Sequence, residues 1–378
     1  MAKIFICGDI INYEHDDGLI CSDPLAEIIS SCDYSICNFE APIEGYGKPI
    51  PKSGIHHFQR KGTISGLKKQ GFDLLCLANN HIMDYGKDAL LATIEEASKH
   101  NLETIGAGSN FDEAYQPLIK NIDGLSIGFI NVCEAQFGVL DYATEPQDPG
   151  YAWINHYHVD YLITKLRERC DFVVILAHAG LENYSIPLKE WRIRYRQFCD
   201  LGADVVVASH PHVPQGYEKY KDSYIFYSLG NFYFDSKNYR GKEDRTYSVV
   251  LELEKDKNVD VQLIYHHKEN GKVQLSPPEK QIDIDQLSNQ LLDTYEKQLT
   301  KVTLKVYEQT IRKNLIYSLV PFPYNGDFLS SVKLLINTIL GRRRNIDKNL
   351  LSLHLIRNET YYYIARYALE LKAKGISR

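Results

Sequence analysis

Short apolar runs alternate with helix-patterned stretches along the first two thirds of the chain, and this rhythm predicts an α/β protein. Runs at 3–7, 34–37, 71–76, 126–132, 172–177, 205–208 and 223–229 have the length and apolar character of buried strands. Between them, 24–30, 63–70, 87–100, 160–169 and 190–201 read as helices; in 87–100, for example, Leu90, Leu91, Ile94 and Ala97 fall at helical spacing. Short strands are predicted at 103–108 and 118–121, the second joined to 126–132 by the hairpin signal Asp123-Gly124. Segments 246–254 and 259–267 alternate as an antiparallel hairpin across 255–258.

The rhythm stops at Pro277-Pro278. Beyond it Ile284, Leu287, Leu291, Tyr295, Leu299, Val302 and Val306 trace one helical stripe. A break at 321–326 and helices over 328–340 and 349–372 follow, with Arg342-Arg343-Arg344 as a solvated helix end. The expected organisation is an α/β domain over 1–276 and a C-terminal helical region over 279–378.

Composition narrows the function classes. A net charge of -6 and a pI near 6.1 leave no electrostatic footprint for nucleic acid. No apolar run is long enough for a secretory core or a membrane span, so the chain reads as soluble and cytoplasmic, without an intrinsic membrane anchor. Cys7, Cys37, Cys76 and Cys133 lie in or beside strand-like runs and, with no Cys-x-x-Cys pair in the chain, read as reduced core thiols.

The chemistry-bearing residues fall where predicted strands end, the place where open α/β folds bind ligands. Asp9 follows the first run, Glu40 the second, His178 the run at 172–177, and His210-Pro211-His212 the run at 205–208. Between strand 71–76 and helix 87–100 lies Asn79-Asn80-His81-Ile82-Met83-Asp84, where Asn80 is suited to hold a metal, His81 to donate a proton and Asp84 to orient it. Oxygen and imidazole donors without thiolate favour Mn, Fe or Zn, and their scatter over several strand ends suits a one- or two-metal hydrolase. The loop at 43–58, rich in Gly and Pro, reads as a surface loop over the site, with His56 and His57 as surface residues.

In order, Gly8-Asp9, Asn38-Phe39-Glu40, Ala78 to Gly86, His178 to Glu182, Gly202 to His212 and Tyr227 to Phe232 form a set that resembles the CapA/PgsA family of capsule and poly-γ-glutamate biosynthesis proteins, a branch of the calcineurin-like metallophosphoesterases. The resemblance covers about 3–267 and implies a four-layer αββα sandwich, followed here by the helical region. It implies a first metal held by Glu40, Asn80, His178 and His210, a second by Asp9, Glu40 and His212, and His81 as proton donor with Asp84 as its orienter. Many related phosphoesterases place a histidine two residues after the first aspartate; Ile11 stands there, which leaves the second site one ligand short. The expected activity is a phosphoesterase acting on an anionic small molecule or polymer, with amide or γ-glutamyl hydrolysis and a non-catalytic assembly role as alternatives. The helical region is expected to serve partner binding or substrate choice.

Overall fold

The computed structural model describes residues 1–235, 245–255, 259–319 and 347–376, together with 328, 329, 332, 333 and 336. The predicted break at 321–326, most of the predicted helix at 328–340, the turn at 256–258 and the arginines at 342–344 lie outside the described residues.

Two sheets carry the larger unit, which comprises 1–50, 56–134 and 138–293. In the first, Glu103–Ile105, Leu74–Cys76, Tyr34–Phe39 and Ala2–Ile11 run parallel, and Arg245–Leu253, Asp260–Glu269 and Lys272–Leu275 continue it antiparallel. In the second, Leu125–Cys133, Phe172–His178, Val205–Ser209 and Ser223–Phe226 run parallel, flanked by the antiparallel edges Leu118–Ile122 and Tyr217–Tyr220. Parallel neighbours need crossovers, and the helices predicted between the strands supply them.

Ile4 and Ile6 of the first sheet share one buried cluster with Phe129, Val174, Leu176 and Val207 of the second. The alternate residues Phe5, Val173 and Ile175 are just as buried. Helices Tyr157–Arg167 and Lys189–Asp200 bring Val159, Ile163, Trp191 and Phe198 against the outer side of the second sheet. Both faces of these strands are therefore covered, which is why their sequences read as continuous apolar runs. Each such side chain contributes about 1.5–3 kcal/mol on burial, so the two-sided core dominates the energetics of the unit. The layers stack as the expected αββα sandwich.

The run at 103–108 is two strands, not one. Gly106 turns the chain at φ 89°, where a Cβ would lie 2.1 Å from Asn131 Oδ1. Ala107–Gly108 then joins a small third sheet with Gly150–Ala152 and Val139–Leu140. The strand predicted to reach 229 stops at Phe226, and a further strand, Asn231–Phe234, joins the first sheet.

The smaller unit comprises 51–55, 135–137 and 294–378. The single stripe expected after Pro278 is broken: Ile284–Asn289 belongs to the larger unit, and Tyr295–Val306 begins the smaller one. The helix expected over 349–372 is likewise two, Lys348–Arg357 and Glu359–Ala373, because Asn358 adopts an extended backbone and caps the second by accepting the Tyr361 N–H. Within this unit Phe137 stacks on His354 at 5.9 Å, and the Ala135 N–H donates to Glu359 at 2.7 Å. Among the described residues no helix is long and apolar enough to cross a membrane.

Candidate metal centre

Asp9 reaches the site because the first strand changes partner at Gly8. Residues 2–6 pair antiparallel with Arg245–Leu253, whereas Asp9, Ile10 and Ile11 pair parallel with Asn231–Phe234. A Cβ on Gly8 would lie 1.9 Å from the Gly230 carbonyl oxygen, so the crossing requires glycine. Glu40 leaves the neighbouring strand beside Asp9, its N–H donating to Ile10 O at 3.2 Å. The Asn80-His81 turn is held from two sides. Asn79 donates to Phe39 O at 2.9 Å and accepts the His81 N–H at 3.2 Å. Asn131, from the second sheet, accepts the Ala78 N–H at 2.7 Å and donates to Leu176 O at 2.9 Å. His178 ends its strand, and the next strand ends in a strained turn in which His210 and His212 have φ of 99° and 60°. Gly180 packs on Pro211, where a Cβ would lie 2.9 Å from the ring, and the Asn183 N–H donates to Pro211 O at 2.8 Å.

The six expected ligands meet at one place. Glu40, His178 and His210 form one group and Asp9, Glu40 and His212 another, with candidate ligand atoms in each group within 4.8 Å of one another. His178 Nε2 lies 3.1 Å from Asn80 Oδ1, 3.0 Å from His210 Nδ1 and 3.6 Å from Glu40 Oε1. His212 Nε2 lies 3.8 Å from Glu40 Oε1, while its Nδ1 lies 3.4 Å from Asp9 and 2.9 Å from Asn231 Oδ1. Glu40 is fully buried, and neither carboxylate oxygen has a hydrogen-bond partner among the described residues. Leaving such a group unsatisfied costs about 1–3 kcal/mol, and more when it is charged. A divalent cation would offset that cost, and the oxygen-and-imidazole set around Glu40 fits one.

The charges of these groups differ by environment. Burial, then the negative charge of Asp9, holds the Glu40 carboxyl well above the usual carboxylate range. Burial, followed by repulsion from His210 and His212, drives His178 far down, and burial with the His212 charge takes His210 to about 3. At His212 burial works against the proton, but the carboxylates of Glu40 and Asp9 outweigh it and lift the imidazole to about 10. Two imidazoles are thus ready as neutral ligands, and the third carries a proton that a cation would replace.

His81 Nδ1 lies 2.7 Å from Asp84 Oδ2, and Asp84 is buried. That bond directs the opposite ring nitrogen away from Asp84, the arrangement a proton donor needs. Ile11 turns into a small apolar cluster with Ala41 and Phe234, so it adds nothing to the second group. Asn12, Tyr13 and His15 are engaged elsewhere: Asn12 bonds Thr63 and the His15 carbonyl, Tyr13 bonds His57, and His15 bonds Gly271 O.

The reading of His57 as a surface residue is corrected. It is buried, with its ring centroid 4.4 Å from that of His81, whereas His56 is half-buried and bonds Ile50 O. Glu134 is another residue the sequence reading passed over: it lies 3.7 Å from His210 Nε2 and repeats the pattern of a carboxylate just past a strand. Asn231, beside His212, falls within the Tyr227 to Phe232 motif but was assigned no role from the sequence.

Strand ends of two stacked sheets bring together two buried carboxylate–imidazole groups that share one glutamate, and these make an α/β sandwich with a candidate metal centre. The family model described as "Bacterial capsule synthesis protein PGA_cap" matches residues 4–236, and the chain belongs to that family. It is 33% identical over 216 residues to the capsule biosynthesis protein CapA of Bacillus anthracis, covering 55% of this chain and 52% of that protein. It is 34% identical over 214 residues to the PGA biosynthesis protein CapA of Bacillus subtilis (strain 168), covering 55% of each. The chain thus spans about half the length of these curated relatives. Among solved structures, the calcineurin-like phosphoesterase YfkN of Bacillus subtilis aligns over 80% of this chain and 98% of that one, with a TM-score of 0.38 and 14% identity.

Proposed function

We propose that the chain is a metal-dependent hydrolase, a phosphoesterase, that serves the making of an anionic surface polymer such as capsule or poly-γ-glutamate. The observation that carries the chemical part is Glu40: a buried carboxylate shared by two ligand groups, with both oxygens lacking hydrogen-bond partners among the described residues, near the His81–Asp84 pair. Support for the polymer part comes from the family and from the names of the two CapA relatives.

A bound divalent cation supplies Lewis acidity toward a phosphoryl oxygen. Glu40, Asn80, His178 and His210 would hold one ion, and Asp9, Glu40 and His212 a second. His81 gives the departing oxygen its proton from Nε2, and Asp84 holds Nδ1 so that the donor keeps one orientation. The alternatives concern the bond attacked, amide or γ-glutamyl, and an assembly role without turnover.

The test is a panel of phosphomonoesters, phosphodiesters and γ-glutamyl amides offered to the purified protein loaded with Mn, Fe or Zn. Phosphoester turnover that a chelator abolishes and added metal restores is the expected result. Turnover confined to γ-glutamyl amides overturns the phosphoesterase reading, and stoichiometric binding of polyglutamate without any turnover overturns the enzyme.

A further inference from the structure

The loop between Tyr34–Phe39 and the helix Gly62–Lys69 is built onto the His81 turn. Its ends are zipped together by Glu44 N–H to Gln59 O and Gln59 N–H to Pro42 O, both at 2.8 Å. Lys48 N–H then donates to Tyr85 O at 3.1 Å and Ile50 N–H to Asp84 O at 3.0 Å. Gly47 allows that approach, since a Cβ there would lie 2.0 Å from Tyr85 O.

His57 is where this loop meets the proton donor. Its N–H donates at 2.6 Å to Asp84 Oδ2, the same oxygen that lies 2.7 Å from His81 Nδ1. Its ring stands at 73° to the His81 ring, with centroids 4.4 Å apart, and at 78° to Phe234, 5.7 Å away. Phe234 in turn packs on His212 at 4.7 Å. His57 Nδ1 is hydrogen-bonded to the Tyr13 hydroxyl, which ties the ring to the residues after the first strand. Among the described residues His57 belongs to neither carboxylate–imidazole group.

We propose that His57 is a positioning residue for the proton donor: its ring fixes the plane of His81, and through Asp84 it ties the donor's orientation to the closed 43–59 loop. The physical need is specific. One hydrogen bond at Nδ1 holds the His81 ring along a single axis and leaves it free to turn about that axis. A wall beside the ring removes that freedom, and a donor turned out of line with the leaving oxygen loses most of its effect. The inference rests on the phosphoesterase reading, in which His81 is the acid.

The test compares His57→Ala and His57→Phe with wild type and His81→Ala, using an alkyl phosphate, whose leaving group needs a proton, and 4-nitrophenyl phosphate, whose leaving group does not. His57→Ala should slow the alkyl substrate roughly 10–100-fold, in the range seen when an orienting partner is lost, with metal content and nitrophenyl turnover unchanged. His57→Phe restores the wall and should recover most of the loss. Imidazole ¹⁵N relaxation at one fixed pH gives a readout independent of turnover: in His57→Ala the His81 ring should gain motion while its Nδ1 keeps the hydrogen-bonded shift, and His57→Phe should quench that motion. Unchanged His81 ring motion, or equal slowing of both substrates, overturns the positioning role. If wild type turns over neither substrate the proposed function falls, and the His81 ring motion alone then decides this inference.

Discussion

Glu40→Gln is the sharpest perturbation of the candidate centre, because Glu40 is shared by both ligand groups. The substitution keeps the size of the side chain and removes its charge. A cation present at 100 times its dissociation constant stabilises the folded protein by about 2.7 kcal/mol. At roughly 2–4 °C per kcal/mol for chains of 150–250 residues, wild type should gain about 5–11 °C on loading, with the lower end expected for this longer chain. Glu40→Gln should lose that gain altogether. His212→Ala should keep most of it, since Glu40, Asn80, His178 and His210 remain.

The assay is thermal unfolding of chelated and reloaded protein, paired with elemental analysis of bound metal. Because Ile11 leaves the Asp9–Glu40–His212 group short of a ligand, wild type should hold one tight equivalent and a second, weaker one. Glu40→Gln that keeps its metal and its thermal gain would refute the shared-ligand reasoning. So would His212→Ala that loses both equivalents.

Metal uptake should strengthen with pH, because His212, lifted to about 10, is protonated in the metal-free protein at neutral pH and must give up that proton to become a ligand; titration calorimetry in buffers of different ionisation enthalpy counts the protons released, and their absence would contradict the assignment. The metal-free fold has a pH signature of its own. His210, depressed to about 3, makes it lose stability as pH falls from about 6.5 toward 3, whereas the stability from the raised His212 is full below about 6.5 and lost as pH rises toward about 10; denaturant titrations across pH resolve the two limbs. His81→Ala should keep its metal and lose roughly 10²–10⁴-fold in turnover of substrates with poor leaving groups, with Asp84→Asn a milder version; loss of metal from His81→Ala would move it among the ligands. Gly8→Ala should cost about 1–3 kcal/mol in denaturant unfolding and weaken metal binding, because the new methyl meets the Gly230 carbonyl and pushes Asp9 out of line.

Strand ends were legible from sequence because two-sided burial writes strands as apolar runs, and a polar residue that interrupts the end of such a run stands out. Asp9, Glu40, His178, His210 and His212 were found this way, and Asn80 by its place on a strand-to-helix turn. Of the short strands without such runs, those at 103–105 and 118–122 were legible, but Val139–Leu140, Gly150–Ala152 and Asn231–Phe234 were not. Asn231–Phe234 is held by pairing with Asp9, Ile10 and Ile11 across a crossing that only Gly8 permits, a contact between residues more than 200 positions apart. The helix break at 290–294 was hidden because the apolar stripe from Ile284 to Val306 continues in phase through it, and the break at Asn358 is marked by its capping geometry.

His57 shows the limit most clearly. Its local sequence, glycine- and proline-rich with two adjacent histidines, is that of an exposed loop, and local composition carries no information about what the loop lies on. What buries the residue is a set of backbone bonds: Lys48 and Ile50 donate to the main chain of the His81 turn, and the His57 N–H takes an Asp84 oxygen. Backbone donors are the same in every residue but proline, so this docking leaves its only local trace in Gly47, where Tyr85 O admits no side chain. The candidate ligands were readable because their chemistry resides in side chains. His57, packed beside His81, was not, because its place is set by main-chain bonds that many sequences could make.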